Sequence, residues 1–126
     1  MREESKNWFE QAKIDLDTAK FNFKGERFYA SVFFSQQAAE KSLKALYLEE
    51  KRCPVLHHNL VDIADELEAP EEVISACRML NPHYTVSRYP DAASGIPSEV
   101  YDKKITSIYL MEAKKVVRWV RDNLES

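Results

Sequence analysis

Only two glycines, Gly25 and Gly95, punctuate the 126 residues of this chain. A sheet protein needs many tight turns, and the tightest of them draw on glycine. Such sparse punctuation suits long helices joined by few loops. The hydrophobic periodicity agrees. Trp8, Ala12, Leu16, Ala19 and Phe23 recur at three- and four-residue steps, the stripe of an amphipathic helix from about Glu3 to Phe23. Gly25 marks the turn that follows. A second helix is predicted from about Arg27 to Glu50, ended by Pro54 within "CPVLHHN".

Asn59 is placed to cap a third helix, "LVDIADEL", because its side chain can accept a bond from an unpaired backbone N–H. Leu60, Ile63, Ala64 and Leu67 lie on one side of it. Pro70, Glu71 and Glu72 open a fourth helix: proline tolerates the first turn and acids favour the positive end of the dipole. Val73, Ile74, Cys77 and Leu80 supply its apolar positions. Pro82 biases Asn81 away from helical geometry, so this helix should stop near Leu80. From Asn81 to about Val100 the chain has three prolines, one glycine and no helical period. A structureless segment of that length in a small domain is often functional. The last helix, from about Tyr101 to Leu124, is striped by Ile105, Ile108, Tyr109, Val116, Val117, Val120 and Leu124. The expected fold is an all-α, up-and-down helical bundle of about five helices, three of them long, as one domain over residues 1–126.

Charge narrows the functions. A net charge of −3 argues against a protein that grips nucleic acid over its whole surface, though it leaves room for a local basic patch. Asp62 to Glu72 is acidic without a base, whereas Lys103, Lys104, Lys114, Lys115, Arg118 and Arg121 make the last helix basic. These charges either keep helix surfaces wet or favour pairing between copies. Cys53 and Cys77 form neither a disulfide framework nor a zinc motif. Adjacent His57 and His58 lack acids or cysteines at ligand spacing, so no metal is expected. "MREESKNWFEQ" has no signal-peptide core, and no run approaches the ~20 apolar residues of a membrane span. The expectation is a soluble, reduced, cytoplasmic protein.

The second helix is the most informative. At about 100° per residue, Phe34, Ala38, Ala39, Ser42, Ala45 and Leu46 share one broad arc of mostly small residues. The opposite arc mixes Gln36, Gln37, Glu40, Lys41 and Lys44 with Tyr29, Phe33, Tyr47 and Leu48. A plainly solvated face rarely carries so many aromatics. Either the long loop or a second subunit covers it, or Glu40 and Lys44 are an ordinary surface pair.

Three segments of the chain, in order, resemble the HEPN family, the "higher eukaryotes and prokaryotes nucleotide-binding" domains. They are "FSQQAAEKSLKALYL", "HHNLVDIADEL" (through His58 and Leu60) and "YTVSRYPDA" (through Tyr84, Arg88, Tyr89, Pro90 and Asp91). The resemblance implies a helical bundle that commonly dimerises, a link to nucleotides or RNA, and a minimal nucleotidyltransferase partner in a toxin–antitoxin-like pair. It makes Gln36, Glu40, Lys44, Tyr84, Arg88, Tyr89 and Asp91 candidate ligand-binding residues. A nucleotide is the implied ligand, and no cofactor is required. Tyr84 and Tyr89 could stack on a base or anchor the loop. Arg88 and Asp91 could pair together or reach Glu40 and Lys44.

Some members of the family are metal-independent ribonucleases with an Arg-x(4–6)-His motif, and Arg78 to His83, "RMLNPH", has that spacing. A His could move protons while an Arg stabilises the growing phosphate charge. Alternatively, Arg78 faces the negative end of its own helix and His83 is a loop residue. The primary reading is therefore a nucleotide-binding and interaction module. An endoribonuclease toxin and a helical oligomer without ligand are the alternatives.

Overall fold

The structure, a computed structural model, describes residues 1–125. Three long helices dominate it: α1 (Glu3–Lys24), α2 (Phe28–Lys51) and α8 (Lys103–Leu124). Between α2 and α8 lie α3 (Leu60–Glu66), α4 (Glu71–Leu80) and three single turns, α5 (His83–Val86), α6 (Pro90–Ala93) and α7 (Pro97–Val100). The all-α bundle expected from the sequence is what the chain forms. The segment after Leu80 is not structureless, however. Pro90 and Pro97 each start a short helix, because a proline has its φ preset and needs no N–H partner in a first turn.

Helix α2 is the centre. It packs on α1, α8, α3 and the short turns α5 and α7. Its small residues Ser31, Ala38, Ala39, Ser42 and Ala45 are buried, which lets neighbouring backbones come close. Buried Ser31 donates through Oγ to the Ala19 carbonyl at 2.8 Å, tying α2 to α1. Leu43, Leu46, Leu60, Ile63, Leu80, Val116 and Val120 are wholly enclosed and form the shared core of α2, α3, α4 and α8.

The caps follow the sequence logic. Asn59 Oδ1 accepts from the Asp62 N–H at 3.2 Å, and Asp102 Oδ1 accepts from the Ile105 N–H at 2.8 Å. Asn81 adds a second clasp on α3: its Oδ1 accepts from the Leu60 N–H at 2.9 Å and its Nδ2 donates to Asn59 Oδ1 at 3.2 Å. That clasp holds Asn81 in αR geometry, overriding the bias that Pro82 imposes.

Gly25 lies in the turn after α1, as expected, and the left-handed residue there is Glu26, with φ 60°. Two local expectations are corrected. Phe9, not Trp8, joins the core from α1. In α8 the early buried positions are Thr106, Leu110 and Ala113, whereas Ile105 and Ile108 face outward. In both helices the true stripe includes small or polar residues, which a count of large apolar side chains overlooks.

Candidate functional site

Gln36, Glu40 and Lys44 stand one above another on α2 at four-residue spacing, and all three are buried. Glu40, 4% exposed, is the hub. Its Oε1 accepts from Gln36 Nε2 at 2.9 Å, and its Oε2 meets Lys44 Nζ at 3.0 Å and His58 Nδ1 at 2.7 Å. An ionised carboxylate only accepts, so His58 carries a proton on Nδ1 and donates it. Gln37 Nε2 donates to Gln36 Oε1 at 2.7 Å, and Lys44 Nζ sits 5.7 Å from the Trp8 ring centre. The polar arc of α2 is therefore covered, from within the chain, by α1 on one side and by the 52–59 connection on the other.

The network continues outward as a stack. The His58 and Tyr84 rings lie 4.4 Å apart at 17°. The Arg88 guanidinium then sits 4.4 Å from the Tyr84 ring, 4.8 Å from Tyr89 and 5.1 Å from Phe33. Its Nε donates to the Tyr84 carbonyl at 2.8 Å. Planar contacts of this kind suit a guanidinium more than an ammonium. Arg88 borders a groove of about 460 Å³ lined by Tyr29, Ala30, Phe33, Phe34, Ser87, Arg88, Ile96, Pro97 and Ser98. An apolar, aromatic wall with one cation and three hydroxyls, those of Tyr29, Ser87 and Ser98, is the usual make-up of a small-ligand site.

The predicted site residues thus divide. Gln36, Glu40 and Lys44 come together with Tyr84, Arg88 and Tyr89 through His58. Asp91 lies exposed in the first turn of α6. Arg88 is engaged by aromatic rings and a carbonyl, not by Asp91 or Glu40. Arg78 and His83 take separate partners. Arg78 Nη1 is 2.8 Å from Glu71 Oε1 on its own helix, with both groups exposed. His83 Nδ1 lies 2.6 Å from the Tyr101 hydroxyl, and its ring packs 4.4 Å from Tyr109. Burial lowers the His83 pKa and raises those of Tyr101 and Tyr109, so all three are neutral at neutral pH.

Some residues escaped the sequence reading. Buried Asp15 on α1 accepts from Lys41 Nζ at 2.6 Å and from Gln11 Nε2 at 2.9 Å. Its place between Ala12 and Ala19 on the buried stripe was a readable signal. Ile96, Pro97 and Ser98 reach the groove by tertiary folding of a segment without periodicity, and nothing local marks them.

Residues 5–123 match the family model described as HEPN domain. The chain belongs to the HEPN family. Its solved structural neighbours agree. A Thermus thermophilus protein, TT1696, superposes with a TM-score of 0.89 at 27% identity, over 96% of this chain and 98% of that one. ST0689, an archaeal HEPN homologue, gives a TM-score of 0.83 at 28% identity over 98% of both chains. A HEPN domain protein of Thermotoga maritima, TM0613, gives 0.75 at 28% identity, over 94% of this chain and 98% of that one. In sequence, the chain is 26% identical to the Methanocaldococcus jannaschii protein named "Putative toxin MJ1304", across 96% of this HEPN chain and 88% of the relative. No described helix of this HEPN protein is long and apolar enough to cross a membrane.

Proposed function

We propose that this HEPN chain is a nucleotide-binding and interaction module of a toxin–antitoxin-like pair, with a minimal nucleotidyltransferase as its partner. The observation that carries this reading is Arg88, held against the Tyr84 and Tyr89 rings at the lip of the aromatic groove. The Tyr29 and Phe33 side chains give a base an apolar wall to lie on, and Arg88 gives its phosphate a cation with fixed geometry. Gln36, Glu40 and Lys44 act behind this surface. They hold His58, on which Tyr84 stacks, and so keep Arg88 in place. The relative named as a toxin supports the toxin-like assignment.

Titrating ATP and AMP against the wild type and Arg88→Ala by calorimetry tests the ligand. Binding by the wild type with at least a tenfold loss in the variant supports the reading. Equal binding by both removes Arg88 from the site. Co-expression with a nucleotidyltransferase encoded beside this chain tests the partner, and separate elution at micromolar concentration counts against it. The outward-facing Ile105, Ile108 and Met111 of α8 favour self-association, which sedimentation velocity measures.

A second reading, a metal-independent endoribonuclease using Arg78 and His83, draws on the toxin name and on the neutral His83 imidazole, a form able to accept a proton. The bond from Arg78 to Glu71 weighs against it, because it ties the guanidinium along its own helix.

A further inference from the structure

Two stretches of chain from the 81–101 segment line the groove beside Arg88: Ser87 and Arg88, which follow α5, and Ile96, Pro97 and Ser98, which open α7. Both short turns pack on α2 and on α6. They are also joined directly. His83, the first residue of α5, places Nδ1 2.6 Å from the hydroxyl of Tyr101, the residue that ends α7. The His83 carbonyl accepts from Ser87 Oγ at 2.6 Å. Ser87 is wholly enclosed and Tyr101 is 6% exposed, so both anchors are packed in place.

We infer that His83 is a positioning residue for this groove: its bond to Tyr101 clasps the α5 side to the α7 side, and uptake of a proton by the imidazole opens the clasp. The inference rests on the reading of the groove as the ligand site, although His83 itself does not line it. A phenol is a stronger acid than an imidazole N–H, and the ring nitrogen is the stronger base, so the Tyr101 hydroxyl donates to Nδ1. A proton taken up at Nδ1 sets donor against donor, and the hydroxyl must turn away. The groups around the ring do not compensate the cation. Tyr101 and Tyr109 are phenols, and the Tyr109 ring, centred 4.4 Å away, offers only the weak attraction of an aromatic face. On α2, Glu40 is committed to Lys44 and His58. Asp91 on α6 is exposed, Asp102 caps α8, and Lys103 and Lys104 beside it are exposed. Among the described residues no ion pair includes His83. Burial accordingly holds its pKa below the ordinary value.

Amide ¹⁵N shifts of the ligand-free protein, followed from about pH 8 to 5 beside the His83 ring protons, test the clasp. Ser87 and Ser98 should both titrate with the His83 midpoint, below 6.5. In Tyr101→Phe, Ser98 should lose that dependence while Ser87, bonded to the His83 carbonyl, keeps it. In His83→Gln both serines should be flat across that midpoint, which serves if Tyr101→Phe does not fold. Calorimetry with AMP reads the consequence. Either variant should weaken binding about tenfold at neutral pH, because the bound spacing is no longer held. Below the His83 midpoint, wild-type affinity should fall about tenfold per pH unit more than that of His83→Gln, since the AMP phosphate and the other histidines are common to both. The inference is overturned if Ser98 ignores the His83 titration in the wild type, if both variants leave the Ser98 profile unchanged, or if AMP binds all three proteins equally at every pH. Absence of AMP binding by the wild type would instead remove the nucleotide reading, and the amide shifts alone would then decide the clasp.

Discussion

Glu40→Gln is the sharpest single perturbation of the site. The carboxylate faces three donors, Gln36 Nε2, Lys44 Nζ and His58 Nδ1, at 2.9, 3.0 and 2.7 Å. An amide of the same shape offers one acceptor oxygen and adds an NH2, so at least one donor must then face another donor. It also leaves the ammonium of Lys44, a residue only 9% exposed, without its counter-charge. Removing one partner of a buried ion pair costs about 3–5 kcal/mol. The amide keeps part of the bonding, so about 3 kcal/mol is expected. At about 2.1 cal/mol/K per residue, the 126 residues give an unfolding entropy near 0.26 kcal/mol/K, and the melting temperature should fall by about 11 °C. Urea unfolding measures the free energy directly. A loss under about 1 kcal/mol, or a fall under about 4 °C, refutes the idea that Glu40 is the hub. The cost also has a signature in a double-mutant cycle. Glu40→Leu with Lys44→Met should be more stable than Glu40→Leu alone, because no charge is then stranded.

Further outcomes follow from the same geometry. Burial pushes the Cys77 thiol up to about 12, while Cys53 is exposed. A disulfide reagent at neutral pH should therefore modify Cys53 in the folded protein and reach Cys77 only on unfolding. Burial also holds His83 below its ordinary 6.5. The unfolded chain takes up that proton first, so stability is retained above 6.5 and lost as pH falls through the folded-state value. His83→Gln should flatten this dependence in urea titrations from pH 8 to 5, and an unchanged slope would assign the effect elsewhere. Arg88→Ala should change stability by about 1 kcal/mol or less, since Arg88 itself is exposed, while abolishing the rise in melting temperature given by ATP. RNA incubated with the protein in EDTA should remain intact under this account. Cleavage abolished by His83→Ala would restore the ribonuclease reading.

Helices α1, α2, α3, α4 and α8 were legible because each carries a local signal, such as an apolar period, a capping Asn59 or a proline-led α4, whereas the single turns α5, α6 and α7 were not. The family resemblance rested on three segments in order, and separately a polar arc of α2 mixed with aromatics pointed to a covered face. Its cover proved to be the chain's own Trp8, Asp15 and His58. The outward turn of Ile105 and Ile108 was not legible, since Thr106 and Ala113 occupy the buried side with little hydrophobic signal. Neither was the groove. Ser87, Ile96 and Ser98 reach it from a segment without helical period, and none of the three was singled out. The Arg78–His83 spacing was visible in one dimension, but spacing does not specify partners. In the fold Glu71 takes one residue and Tyr101 the other.

The most direct measurement is an amide chemical-shift titration of the ¹⁵N-labelled protein with ATP and AMP. The account predicts that shifts concentrate at Phe33, Ser87, Arg88 and Ser98, around the aromatic groove. Shifts confined to Arg78 and its neighbours on α4, or none at millimolar nucleotide, would contradict it.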